Sequence, residues 1–414
     1  MGETVLTRRK FLQSGGLALA GAASLPLFLG RTALAAQVAG TMSDYGPDTI
    51  LVVIQMSGGN DGLNTVVPYG LDGYRAARGA IGIPEANVLP LTERVGLHPE
   101  MGKLFERYQA GQVAIVQGAG YPNPNLSHFR SMDIWHTAVP DAYAQTGWLA
   151  GELAATQPTN PLYAVSVTDS LIPALAGAGT SVPAIPNVQA YQLRTDTRYP
   201  ADRAAQIAVA DWSYRQDYSG RAGQGYIAAT GANALASTQM VQDGVAAYRS
   251  TVEYPNFALG ASLKSVAQMI AAGLGTRIFY TSFGSFDTHS AQPNAQARLL
   301  GGFSNSVDAF LRDLEGMGQA NNVLLMSFSE FGRRVQENGS QGTDHGTAGP
   351  MFVIGSRVTG GLYGEYPSLT KLDENRNLRY QVDFRSVYGT VLEGWLGVDQ
   401  SVALGGRYDS VGFV

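Results

Sequence analysis

The sequence predicts an α/β protein, with a doubly wound, mostly parallel sheet and helices on both faces. Three observations predict it. Apolar runs such as Ile50–Met56 are near-continuous and of strand length, as suits strands buried on both faces of a parallel sheet. Segments of helical periodicity alternate with these runs at the spacing of strand–helix units. Clusters of carboxylates and imidazoles adjoin the ends of four apolar runs, at the strand tips where α/β sheets place their sites.

The elements follow in order. Ile50–Met56 is the first strand, and His98–Ala110 is a helix with Pro99 near its start. Gln112–Gln117 is a second buried strand. A Pro/Asn loop, Tyr121–Asn125, leads to Ser127, the natural N-cap of a helix running to about Thr137. Gly147–Ala155 reads as a helix and Leu162–Val167 as a strand. From about 170 to 255 the chain is rich in Ala, Gly, Gln and Tyr and carries no strong strand pattern. That stretch reads as a mostly helical insertion, with helices over Ala201–Tyr218 and Gly225–Thr251. Phe257–Ala272 is an amphipathic helix, Arg277–Phe283 a strand, Gln292–Met317 a long helix and Asn322–Phe328 a strand. Met351–Ile354 is a short strand and Phe384–Trp395 a final helix. The α/β domain is expected to span residues 49–414.

The first 35 residues are excluded from the fold. Thr7-Arg8-Arg9-Lys10-Phe11-Leu12 is a twin-arginine pattern, an apolar stretch runs from Gly15 to Leu29, and Ala33-Leu34-Ala35 suits signal cleavage. A membrane anchor is the weaker reading, because the apolar core is short and broken by Pro26 and Arg31. The expectation is export through the twin-arginine translocase to the periplasm or beyond, with residues 36–48 as a polar lead-in. Removing four cations and one acid with that segment moves the formal charge from -5 to -8. A mildly acidic chain without a basic, aromatic-interleaved patch offers no footprint for nucleic acid. There is no cysteine, so disulfides, thiolate nucleophiles and cysteine-type zinc sites are excluded.

The clusters carry the chemistry. Asp61 lies in the Gly-rich turn Ser57-Gly58-Gly59-Asn60-Asp61-Gly62 after the first strand. A lone Asp in such a turn is more often an Asx cap, and only its company argues for metal ligation. The turn lacks both the Walker and the GxGxxG pattern, which excludes those nucleotide sites. Asp287 and His289 are two apart, so an extended segment presents both on one face, within reach of one ion. Glu330 directly follows an apolar run and needs a partner, either a metal or Arg333. Asp344 and His345 are adjacent and face opposite ways, His345 being the better ligand and Asp344 a support. Ser127-His128-Phe129-Arg130 opens a helix whose N-terminus favours anions. There Ser127 is either a simple cap or a metal-aided nucleophile, and Arg130 could hold a phosphate or sulfate oxygen. His98 and His136 read as structural.

The ordered set SGGNDGLNTVVPY, YPNPNLSHFRSMDIW, SFDTHS, SEFGRR and TDHGTAGP, between about Thr49 and Leu396, resembles the exported bacterial proteins grouped as domain of unknown function 1501. That family is itself similar to the alkaline phosphatase and sulfatase superfamily. The resemblance implies an alkaline phosphatase-like fold with metal at the strand tips. It implies Asp61, Asp287, His289, Glu330, Asp344 and His345 as the metal shell, with Ser127, His128 and Arg130 as catalytic residues. Glu330-Phe331 stands where the superfamily has an Asp-His pair, so one ligand is replaced and one lost. With fewer histidines, one ion or a harder ion is expected, among Zn, Mn, Mg and Ca. SHFRS lacks the proline of the sulfatase nucleophile motif, which with the missing cysteine argues against a formylglycine sulfatase.

The function so implied is an exported metal-dependent hydrolase of small anionic phosphate or sulfate esters. A carboxylic or glycan ester stays open as the bond cleaved. The alternative is a non-catalytic exported binding or assembly protein that keeps the fold and a structural ion.

Overall fold

The structure, a computed structural model, describes residues 49–414 apart from 178–180, 194, 196, 197 and 247. The targeting segment and lead-in expected over residues 1–48 lie outside the described residues.

In chain order the N-terminal part holds β1 (Ile50–Met56), α1 (Gly62–Thr65), β2 (Val66–Val67), α2 (Tyr74–Ala77), β3 (Leu89–Pro90), β4 (Gly96–Leu97) and α3 (Gly102–Gln109). Next come β5 (Val113–Gly120), α4 (His128–Thr137), α5 (Trp148–Thr156), β6 (Ala164–Val167), α6 (Pro200–Tyr214), α7 (Ala222–Val245) and α8 (Ala258–Ala271). The chain then forms β7 (Ile278–Phe283), α9 (Gln292–Gly316), β8 (Val323–Phe328), β9 (Gly349–Ile354), β10 (Gly361–Tyr363), β11 (Val382–Asp383), α10 (Phe384–Val391) and α11 (Gln400–Leu404).

The central sheet runs β10-β5-β9-β8-β1-β7-β6, with β11 beside β5. β1 pairs in parallel with β7 and β8, and β7 with β6. β9 alone breaks the direction, running antiparallel to both β5 and β8. The expected mostly parallel sheet with helices on both faces is therefore observed. A small antiparallel sheet, β2-β4-β3, was not foreseen. Its strands are two residues each, too short to carry a pattern.

Strand alternation explains the two helical layers. Val52, Ile54 and Met56 of β1 pack with Leu104 of α3, Leu263 of α8 and Phe303 of α9. Leu51 and Val53 pack on the other face with Trp135 of α4, Trp148 of α5 and Tyr388 of α10. Every residue of β1 is buried, which is why its sequence shows no polar alternation. Several ends differ from expectation: α6 stops at Tyr214 rather than Tyr218, and α7 at Val245 rather than Thr251. Residues 99–101 form a 3-10 turn before α3. After α10, Leu392–Leu396 continue as a π-turn stopped by Gly397 at φ 71°.

The direction of β9 settles the placement of the clusters. The segments after β1, β7 and β8 leave the sheet at its carboxyl edge. Because β9 runs the other way, the segment that precedes it, with Asp344 and His345, arrives at that same edge.

Candidate metal centre

Three imidazoles gather at this edge around one carboxylate. His128 opens α4 and turns its Nδ1 to Glu330 Oε1 at 2.8 Å. A carboxylate oxygen only accepts, so Nδ1 carries the proton and Nε2 presents a lone pair. That Nε2 is buried without a hydrogen-bond partner and lies 3.5 Å from Asp287 Oδ2. His345 Nδ1 donates to the Leu126 carbonyl at 2.8 Å, which frees its Nε2 in the same way. His289 Nδ1 faces Asp344 Oδ1 at 3.3 Å, and its Nε2 turns inward. The inward nitrogens of His289 and His345 are 3.0 Å apart, and they stand 3.0 and 3.2 Å from Asp287 Oδ1.

Lone pairs and a carboxylate at such separations repel unless a proton or cation lies among them. The set suits a cation. Ligand bonds of about 2.0–2.1 Å in a tetrahedral or octahedral shell put neighbouring donors about 2.8–3.4 Å apart. The observed 3.0, 3.0 and 3.2 Å fall within that range, and the 3.5 Å from His128 Nε2 to Asp287 Oδ2 lies just beyond it. His128, Asp287 and His345 place one donor each within 4.8 Å of one another. Each imidazole is held from behind by an acceptor on its Nδ1, the arrangement that orients metal-bound histidines.

Arg333 organises the loops beneath. It is 1% exposed and donates to the carbonyls of Gly59, Thr343, Phe286 and Gly58, and to Asp287 Oδ1 at 2.6 Å. One guanidinium thus ties together the segments after β1, β7 and β8. Partial burial would raise the Asp287 carboxyl, but the hydrogen bond and the positive charge of Arg333 hold it down at about 2. At Gly58, with φ 117°, a Cβ would sit 2.5 Å from the Asp287 backbone nitrogen, so the segments after β1 and β7 touch only because it is glycine. Phe331 packs against both His128 and His345, its ring centroid 4.9 and 4.7 Å from theirs, while those two rings meet edge-on at 4.4 Å.

Not every expected residue joins. Asp287, His289 and His345 do, and His128, expected in a catalytic role, stands with them. Glu330 and Asp344 stand one step out, each holding an imidazole. Glu330 is partnered by His128, the Gly58 N–H and Ser329 rather than by Arg333. Asp344 Oδ1 also accepts from Asn338, the main reason its carboxyl is depressed.

The structure corrects two expectations. Asp61 is not a ligand within the cluster. Its side chain is fully buried and paired with Arg78, at 2.5 and 2.9 Å, and it also accepts from Gln292 and caps α1. Arg130 is not free to hold an anion. It pairs with Asp133, donates to the carbonyls of Val139, Pro140 and Ala142, and stacks on Tyr143 at 4.3 Å. Ser127 is exposed, precedes α4 and makes no side-chain cap bond. Arg78 was missed because nothing in its local sequence marks it as the partner of an acid 17 residues earlier. His98 and His136 are structural. Both are buried, which lowers each to about 4, and they bond to the Glu100 N–H and to Gln55.

A family model described as "Protein of unknown function (DUF1501)" matches residues 84–400. No curated protein matches the chain. Among solved structures, a sulfatase from Pseudoalteromonas sp. is similar at 12% identity over 88% of this chain and 71% of its own, with a TM-score of 0.38. A protein in the alkaline phosphatase superfamily from Vibrio parahaemolyticus is similar at 8% identity over 78% and 63%, with a TM-score of 0.33. The C-terminal periplasmic domain of EptC from Escherichia coli, in complex with Zn, is similar at 9% identity over 76% and 77%, with a TM-score of 0.33. At this distance none of them bears on the chemistry of the site.

Proposed function

For this chain, which belongs to the DUF1501 family, we propose an exported metalloprotein that hydrolyses small anionic esters of phosphate or sulfate at one divalent ion. The observation that carries the reading is the inward convergence of three imidazole Nε2 atoms on Asp287. His128, Asp287 and His345, whose donors lie within 4.8 Å of one another, would hold the ion, with His289 Nε2 beside Asp287 and His345 as a further donor. Three nitrogen donors favour Zn, or Mn among the harder ions, over Mg and Ca.

A bound divalent ion supplies polarisation of an ester oxygen and a lower pKa for water or a hydroxyl. The chain supplies the rest. Arg333 keeps Asp287 ionised far below neutral pH. The first turn of α4, without a side-chain cap, offers N–H groups to anionic oxygens. Ser127 presents an unengaged, exposed hydroxyl one residue before His128. Export is supported by the Thr7–Leu12 twin-arginine pattern. Among the described residues no helix is long and apolar enough to cross a membrane.

The test is metal analysis of protein recovered from the periplasm, with its N-terminus sequenced, followed by a phosphatase and sulfatase substrate panel. One equivalent of metal, an N-terminus near residue 36 and turnover abolished by chelation or Asp287→Asn are expected. Ser127→Ala is expected to lower turnover at least about 100-fold if Ser127 is the nucleophile. Protein that carries no metal, and binds none after stripping and reloading, refutes the centre. The commitment of Asp61 and Arg130 to internal partners favours a second reading, a non-catalytic binding protein with a structural ion. Metal without turnover across the panel would select it.

A further inference from the structure

We propose that Glu330 is a positioning residue: it binds no metal itself but fixes the tautomer and orientation of His128 that make its Nε2 a ligand. The inference rests on the metal centre proposed above and extends it to a residue outside the donor set.

The geometry leaves Glu330 little else to do. Its residue is 2% exposed. Oε1 accepts from the Gly58 N–H and from His128 Nδ1, both at 2.8 Å. Oε2 lies 3.1 Å from Ser329 Oγ, whose single proton it shares with the Met56 carbonyl at 2.7 Å, and that hydroxyl accepts from the Asn60 N–H. The carboxylate is therefore fixed by its own segment and by the turn after β1 before it meets the imidazole. The imidazole then stands between Glu330 and Asp287, with one nitrogen toward each.

A free imidazole places its proton on either nitrogen, and only the form protonated at Nδ1 offers Nε2 to an ion. An acceptor fixed at 2.8 Å from Nδ1 selects that form and anchors that side of the ring. Phe331, the next residue, packs against the same ring at 4.9 Å and restricts its tilt. Strand β8 thus delivers two consecutive side chains that orient His128, one by hydrogen bonding and one by packing.

The experiment uses full-length mature protein stripped of metal and specifically labelled at histidine nitrogens. Nitrogen-15 NMR reads the tautomer of His128, and titration with Zn or Mn then reads affinity. Wild type is expected to show His128 protonated at Nδ1 before any metal is added. Glu330→Ala is expected to lose that preference and to bind metal about 10–100-fold more weakly. Glu330→Gln keeps an acceptor oxygen but not the charge. It is expected to keep the tautomer and to lose less affinity than the alanine variant, and it serves if the alanine variant does not fold. Unchanged tautomer and affinity in Glu330→Ala, with metal bound by wild type, overturns the proposal and leaves the centre standing. A tautomer lost in Glu330→Ala while wild type binds no metal refutes the centre and retains the orienting role.

Discussion

At the scale of single residues, chemistry at this sheet edge is decided by which acids are already consumed. Asp61 has the right residue type, strand and tip, yet both of its oxygens face Arg78, and both side chains are fully buried. Truncating one member of such a pair strands a charge in a place water cannot reach. Asp61→Ala is expected to cost about 3–5 kcal/mol in urea unfolding. Removing Arg78 as well, as Asp61→Ala/Arg78→Met, is expected to restore part of that loss. Metal stoichiometry should not change in the double variant. A single variant that unfolds like wild type, or a double variant that loses its ion, would return Asp61 to the ligand set. The sequence made the candidate residues legible by type and by their place after apolar runs. It could not show their partners. Arg78 reaches Asp61 through the folded turn, and Arg333 reaches Asp287 from another strand tip. His128 was legible as a functional residue, but its neighbours in space, Asp287 and His345, are far away in the chain.

At the scale of elements, strands were legible where burial on both faces erased polar alternation, as in β1 and β8. Their ends shifted by a residue or two because local backbone geometry, not pattern, sets them. The direction of β9 left no trace in its composition, and the fourth cluster reaches the others only through that direction. Helix ends show a further cost that the sequence conceals. Helix α5 closes on Gln157, an exposed residue at φ 45° and ψ 56° whose N–H bonds to Leu153 O. The left-handed region strains any residue with a Cβ, and glycine is the usual occupant of this position. Gln157→Gly is expected to stabilise the protein by about 0.5–1 kcal/mol, relief of strain outweighing the added entropy of the unfolded chain. Thermal unfolding checks it, and a lower midpoint for the variant would mean that the turn bears no such strain.

At the scale of the whole molecule, the core on the α4–α5–α10 face encloses an acid that the site does not use. Glu152 of α5 is 0% exposed, accepts from Tyr163 at 3.1 Å and leaves Oε2 without a partner. Burial raises its carboxyl from 4.5 to about 7, against the opposing pull of Tyr163 and Arg277. The folded state therefore holds a proton that the unfolded chain releases between pH 4.5 and about 7. Below the unfolded value Glu152 is protonated in both states and adds no pH-dependent penalty, and stability falls as pH climbs through that window. Above the folded value the full penalty applies, on the order of 3 kcal/mol for a carboxyl moved from 4.5 to about 7. Glu152→Gln keeps an acceptor for Tyr163 and cannot ionise. Its stability relative to wild type is expected to be near zero at pH 4.5 and to rise to about 3 kcal/mol in its favour by pH 8. Urea unfolding of both proteins across that range reads the difference directly, because every other titrating group is common to the two. A difference that stays flat from pH 4.5 to 8 would show that Glu152 is hydrated or paired when charged.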